Sequence, residues 1–278
     1  MDHLKWKRFW KLRKFLLLER YKTSVKSGTP CLHALLQDQQ LLNKDPIISS
    51  HSSFVESKQE DQLGRWPVHF IFGATSNQTI LERFLNYPGD AMLKLDHNGC
   101  LPIHYAMRCN ASVDIVQHMM GQHPEQAHMT DIHGETPLHA ACKHRCPLEI
   151  VKIFVNYNPG LKQIRDIQGC TPLHAACSGG ASLDVINYLT HEDSDGLTML
   201  DDKGELALHK ACRRGNASVI QYLAKKNMQS VSARNNYNLL PIFILCDQLD
   251  KEEEILQSTE YVESIFRLLR AYPETVNP

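Results

Sequence analysis

Nowhere in the 278 residues does an apolar run approach the roughly 18 to 20 positions needed to cross a bilayer. The cluster Phe15 to Leu18 near the start is broken at once by Glu19 and Arg20. Neither a membrane span nor a signal peptide is expected. Excess charge is missing too, since 30 Lys and Arg stand against 31 Asp and Glu for a net of −1, and no nucleic-acid partner is expected. The chain lacks a glycine-rich phosphate loop, a Gly-x-Ser-x-Gly elbow, a His-Glu-x-x-His pair and the kinase catalytic set, so neither an enzyme nor a cofactor is anticipated. A disulfide framework is absent as well. Nine cysteines, an odd number, are spread through helix-like segments, which points to free buried thiols in a reducing, cytosolic or nuclear compartment. The sequons at Asn77, Asn110 and Asn216 then read as turn residues.

What the chain has is repetition. His69, His104, His139, His174 and His209 are separated by 35 residues throughout, with Phe243 in the same role 34 further on and His33 36 before the first. Gly64, Gly99, Gly134, Gly169 and Gly204 lie five residues before these histidines, and Asp61, Asp96, Asp131, Asp166 and Asp201 eight before them. A hydrophobic fraction of 42% is ordinary for a globular chain and does not point to disorder, and a fixed period in this range signals stacked units that cannot bury their apolar faces alone.

Each unit reads physically. Asp-x-x-Gly is turn chemistry, because the Asp side chain can accept from amides just ahead of it and Gly tolerates the positive φ of a tight turn. Pro then falls in the first turn of a helix, where its missing N–H costs nothing. The small pairs Ala140 and Ala141, and Ala175 and Ala176, allow close helix approach. A second helix follows, with Ser112, Ser182 and Ser218 as candidate N-caps and Asp114 and Asp184 in its first turn. Its apolar face is exemplified by Ile150, Val151, Phe154 and Val155, and Pro88, Pro124, Pro159 and Pro273 stand near its end.

Thr-Pro-Leu-His opening a helix after Asp-x-x-Gly, at Thr136 to His139 and Thr171 to His174, resembles the ankyrin-repeat signature. The longer unit and the Tyr-Pro endings at Tyr87-Pro88 and Tyr272-Pro273 are similar to a long-repeat variety of it. The resemblance implies an all-α fold, an ankyrin-repeat solenoid of stacked helix-turn-helix units with short β-turn tips. It divides the chain into residues 1–60 as a basic capping helix and degenerate first repeat, 61–236 as five repeats, and 237–278 as a degenerate capping repeat with an acidic insertion. It also implies structural histidines, held by the Thr hydroxyl. Leu101, Leu206, Leu240 and Trp66 replace that Thr, Ala207 replaces the Pro and Phe243 the His, so those units should rely more on apolar packing. His139 with Cys142, His174 with Cys177 and His209 with Cys212 each share a helix face, but equivalent positions in stacked units lie about 8–10 Å apart, and zinc ligands must sit within about 2.3 Å of one ion. Cys142, Cys177, Cys212 and Cys246 are therefore expected to be small packing residues, with no metal bound.

The family usually grips a protein with its turn tips and first helices, which line a concave face. Carried over by position, the tip residues are His97, Asn98, His133, Glu135, Gln168, Lys203, Glu205 and Tyr237. The first-helix residues are Tyr105, Arg108, Lys143, His144, Lys210, Arg213 and Arg214. The second set is nearly all basic, so an acidic or phosphorylated protein segment is the expected ligand of a monomeric adaptor or scaffold.

The ends differ in charge. Residues 1–26 carry nine Lys or Arg against two acids, leaving −8 for the rest, and Trp6, Phe9, Trp10 and Leu17 recur at helical spacing. That amphipathic helix is expected to cap the array, with weak membrane contact as the alternative. Residues 45–60 are Ser-rich and read as a loop or a degenerate second helix, and residues 247–263 hold seven acids and one Lys.

Overall fold

The computed structural model describes residues 60, 63–66, 68–69, 72, 90–191 and 195–249. The expected amphipathic helix over 1–26, all of the Ser-rich stretch but residue 60, and most of the acidic insertion lie outside the described residues. Two compact units divide the chain, Met1–Ala111 and Ser112–Pro278. Among the described residues every regular element is helical, as the expectation of an all-α array of helix pairs requires.

In the first unit, α1 (Pro102–Arg108) begins on Leu101 and Pro102. In the second unit, α2 (Val113–Gln122), α4 (Leu148–Tyr157), α6 (Leu183–Thr190) and α8 (Ala217–Lys226) form one layer, and α3 (Pro137–Lys143), α5 (Pro172–Gly179), α7 (Ala207–Arg214) and α9 (Pro241–Leu249) form the other. Within a layer each helix packs on the next, and α3, α5 and α7 each pair with the helix that follows them. The apolar stripe predicted from Ile150, Val151, Phe154 and Val155 is buried. On the other face of that layer, hydroxyls tie successive helices, Tyr188 Oη donating to Asn156 Oδ1 at 2.9 Å and Tyr222 Oη to Asn187 Oδ1 at 2.8 Å.

The tips repeat one hydrogen-bond pattern. Asp131 Oδ1 accepts from the amides of His133 and Glu135, Asp166 Oδ1 from Gln168 and Cys170, and Asp201 Oδ1 from Lys203 and Glu205. Asn235 does the same for Tyr237 and Leu239. Each of Gly134, Gly169 and Gly204 closes its turn at positive φ. One backbone bond then joins each tip to the next, from Ile167 N–H to His133 O, Asp202 N–H to Gln168 O and Asn236 N–H to Lys203 O.

The histidines of the period sit inside this frame. His139 Nδ1 receives the Thr136 amide at 3.2 Å and the Thr136 hydroxyl at 2.8 Å, and its Nε2–H donates to Cys170 O of the next unit at 3.1 Å. His174 repeats this with Thr171 and with Glu205 O at 3.0 Å. Where Leu replaces Thr, the amide half of the arrangement survives, as Leu101 N–H to His104 Nδ1 at 3.0 Å and Leu206 N–H to His209 Nδ1 at 3.1 Å. The lost hydroxyl is replaced by a buried isobutyl group, in line with the expected shift toward apolar packing. His209 Nε2 faces the Ala233 and Leu239 carbonyls without reaching hydrogen-bond geometry.

Two expected details need correction. Ser218 is not an N-cap; α8 begins on Asn216, whose Oδ1 accepts from Val219 N–H at 3.3 Å, since the periodic cap position is Ala217 and has no acceptor. Ser112 occupies an N-cap position but makes no side-chain cap bond, unlike Ser182, whose Oγ accepts from Val185 N–H.

Burial holds the His69, His139, His174 and His209 imidazoles neutral, pushing each below the usual histidine range. The unfolded chain takes up protons below about pH 6.5 and the folded chain does not, so stability is full above that value and is lost as pH falls from it. Each ring removes up to about 1.4 kcal/mol per pH unit. Urea midpoints measured from pH 7.5 to 5.5 should fall, with a slope one proton shallower in His139→Asn. Removing only the hydroxyl, in Thr171→Val, should cost about 1 kcal/mol.

Candidate functional site

Between α3 and α7, the helix α5 is nearly bare on the tip-facing side. The 35-residue register places Ser178 against Lys143 and Arg213, Ala175 against Ala140 and Lys210, and Gly179 against His144 and Arg214. Ser178 thus stands where both neighbouring units carry cations, and Ala175 and Gly179 where the following unit does. The smallness at Gly179 is forced, since a Cβ there would come within 2.2 Å of Lys143 O. The result is an open depression of about 410 Å³ with Ala175 and Ser178 on its floor, Lys143 on one wall and Arg213 and Arg214 on the other. Gln168 and Asp166 of the middle tip also line it.

The cations of the walls are not equivalent. Lys143 Nζ pairs with Glu135, half exposed. Lys210 is nearly buried and donates to Asp201 Oδ2 at 2.6 Å and Glu205 Oε2 at 3.0 Å. Arg213 forms a two-point contact with Glu205, Nη1 to Oε2 at 2.7 Å and Nη2 to Oε1, while Asn235 Nδ2 donates to Glu205 Oε1 at 3.2 Å. Glu205 itself is fully buried. Burial alone would raise its carboxyl, but the Arg213 and Lys210 hydrogen bonds outweigh it and hold the group down to about 2. Lys210 is likewise penalised by burial and nonetheless raised by its bonds to Asp201 and Glu205. Two acids and two bases therefore form a network that joins a tip, its following helix and the next tip. Arg214 is exposed and makes no ion pair or hydrogen bond among the described residues.

The expected partner residues are thus distributed unevenly. In the second unit the depression brings together Glu135, Lys143, Lys210, Arg213 and Arg214. His133, Lys203 and Tyr237 stand exposed on three of the four tips, and His144 caps the end of α3. In the first unit Tyr105 Oη donates to Asp96 Oδ2 at 2.8 Å, its ring meets His69 edge-on and the Arg108 guanidinium lies over it at 5.4 Å. His97 lies against Gly64, and its N–H donates to Leu63 O. Arg145 was not anticipated, although the sequence carries its signal. The end of the first helix turns through a left-handed residue at Asn110, Arg145, Gly180 and Gly215, and Arg is the odd member of that column.

Metal and nucleophile chemistry find no support in the thiols. Cys142, Cys177 and Cys212 are buried, and burial pushes all three up, as it does Cys146, to about 12, and Cys170, to about 11. No group of three or more metal-ligating side chains occurs among the described residues. Among the same residues no helix is long and apolar enough to cross a membrane.

Comparison with known proteins agrees with this geometry. A family model described as ankyrin repeats in three copies matches residues 109–199, and one described as an ankyrin repeat matches residues 203–236. No curated protein matches the chain.

Breaking the network tests its weight. Glu205→Gln leaves Lys210 and Arg213 short of a counter-charge and should destabilise the chain by about 3 kcal/mol at pH 7. In the parent chain the Glu205 contribution is present above about pH 4.5 and is lost as pH falls toward 2. Thermal melts of the two proteins should therefore differ most at pH 7 and lie closer together at pH 3.

Proposed function

From the premise that this chain is an ankyrin-repeat protein, and so a protein–protein interaction module, we propose that it is a monomeric, non-enzymatic adaptor. It holds an extended acidic or phosphorylated segment of a partner along α3, α5 and α7. The observation that carries this reading is the small-residue floor of α5 between cationic walls. An interaction surface needs a recess that excludes water around a few anchors, and Ser178 leaves one where the two neighbouring units carry Lys143 and Arg213, with Ala175 below it where the next unit carries Lys210.

The walls assign roles to the expected residues. Lys210 is spent internally, its charge taken by Asp201 and Glu205, so it shapes the recess and does not contact the ligand directly. Arg213 is oriented by Glu205 and keeps an exposed edge, which makes it a pre-organised donor with little entropy left to lose. Lys143 can exchange Glu135 for a partner's carboxylate at small cost, because exposed pairs are weak. Arg214 offers its full complement of donors. Tip residues His133, Lys203 and Tyr237 border the path of the segment.

Ser178→Arg restores the pattern of the flanking units and fills the recess without touching the core, since Ser178 is exposed. Capture of a partner identified by mass spectrometry should drop at least tenfold in this variant while its melting temperature stays within about 2 °C of the parent. Undiminished capture of the same partner would remove the groove as the binding face.

A further inference from the structure

We propose that Arg145 and Arg214 form a clamp for a phosphate monoester on the bound protein segment, centred over Gly180 at the end of the α5 groove. This rests on the groove reading above and names the chemistry at one point of it. The other cations of the face are neutralised within the protein: Lys143 by Glu135, Lys210 by Asp201 and Glu205, Arg213 by Glu205. Arg145 and Arg214 have no acidic partner among the described residues. They come from different units, one after α3 and one at the end of α7, and converge on the unit between. A Cβ at Gly180 would lie 3.0 Å from Arg214 Nε, 3.6 Å from Arg145 Nε and 3.7 Å from Arg145 Nη2.

Two like charges held around one point, with no acidic partner among the described residues, are arranged for an anion. Arg145 is fixed there from both ends. Its Nε donates to Gly179 O at 2.8 Å, which leaves both Nη groups free, and its backbone occupies φ 61°, where the equivalent residues are Asn110, Gly180 and Gly215. A side chain with a Cβ is disfavoured at a left-handed position, and the equivalent residues of the other units are Asn or Gly. Gly180 supplies the complement, since a Cβ there would crowd Arg214 Nε at 3.0 Å and come into van der Waals contact with the Arg145 guanidinium. Two guanidiniums offer the several parallel N–H donors that a dianionic phosphate accepts, more than a single carboxylate uses. A recess in the helix layer admits an extended peptide and not the flat face of a bilayer, so the phosphate is assigned to a protein side chain, phosphoserine or phosphothreonine.

The register also provides a benign variant. Arg145→Gly installs the residue found at 180 and 215 and relieves the backbone, so it should fold at least as well as the parent. Arg214→Gln removes the second cation from an exposed helix end. Inorganic phosphate, titrated at constant ionic strength, should raise the melting temperature of the parent chain saturably, by about 3–6 °C at a tenfold excess over Kd. In each variant only the general, non-saturating stabilisation that phosphate gives any folded protein should remain. An equal saturable shift in parent and variants, or none in the parent, would overturn the clamp. Capture of the partner should be lost after phosphatase treatment of the lysate and in Arg145→Gly. Capture that survives both overturns the phosphate assignment but leaves the groove reading intact, whereas loss in Ser178→Arg alone concerns only the groove. Sedimentation of the parent with phosphoinositide vesicles, abolished in Arg145→Gly, would overturn the assignment to a protein segment.

Discussion

A buried imidazole must satisfy both ring nitrogens or incur the full cost of desolvating them, and in this chain it can do so only when two neighbouring units are in place. Nδ1 is satisfied by the start of its own helix, at Thr136 or Thr171, and Nε2–H only by a carbonyl of the following unit, Cys170 or Glu205. The bond therefore couples local helix initiation to stacking. It also fixes the tautomer, because an amide donor at Nδ1 leaves the proton on Nε2. The tips add a second tie through Asp131, Asp166 and Asp201, each capping its own turn while the backbone reaches to the next. Stiff, regularly spaced units follow, and a groove between them inherits that regularity.

The ion network around Glu205 reinforces one joint of the stack. A buried carboxylate with Arg213, Lys210 and Asn235 around it is weak evidence for net stability, because desolvation offsets much of the attraction. Its geometric effect is clearer. It draws two of the basic side chains of α7 against the tips, which leaves Arg214 as the cation of that helix end with no ion pair among the described residues.

The fold was legible to an unusual degree because the period itself carries the information. A histidine every 35 residues, with Gly and Asp at fixed offsets, determines turn, helix and stacking order before any propensity is weighed. Ser218 was misread because helix starts were placed by serine alone, and the stronger cap Asn216 stands one residue off the register. The candidate site was legible only in outline. A basic first-helix face follows from Lys143, Lys210, Arg213 and Arg214, but pairing is a property of contacts across about 8 residues or a whole unit. Nothing along the chain says that Glu205 would bury itself beneath Lys210 and Arg213.

Where such an array departs from its own period is where its particular function is written. Positions shared by all units answer to stacking, and a residue there is explained by its copies. Ser178 and Gly179 interrupt a line of large polar side chains, and Arg145 interrupts a line of residues suited to left-handed backbone. The two departures are adjacent in space, since Arg145 donates to Gly179 O. Random drift of surface residues would scatter such exceptions along the stack and would not match a loss of volume in one unit with a gain of charge from the units beside it. Their coincidence at one point makes the α5 groove the part of the described surface least explained by the needs of the fold.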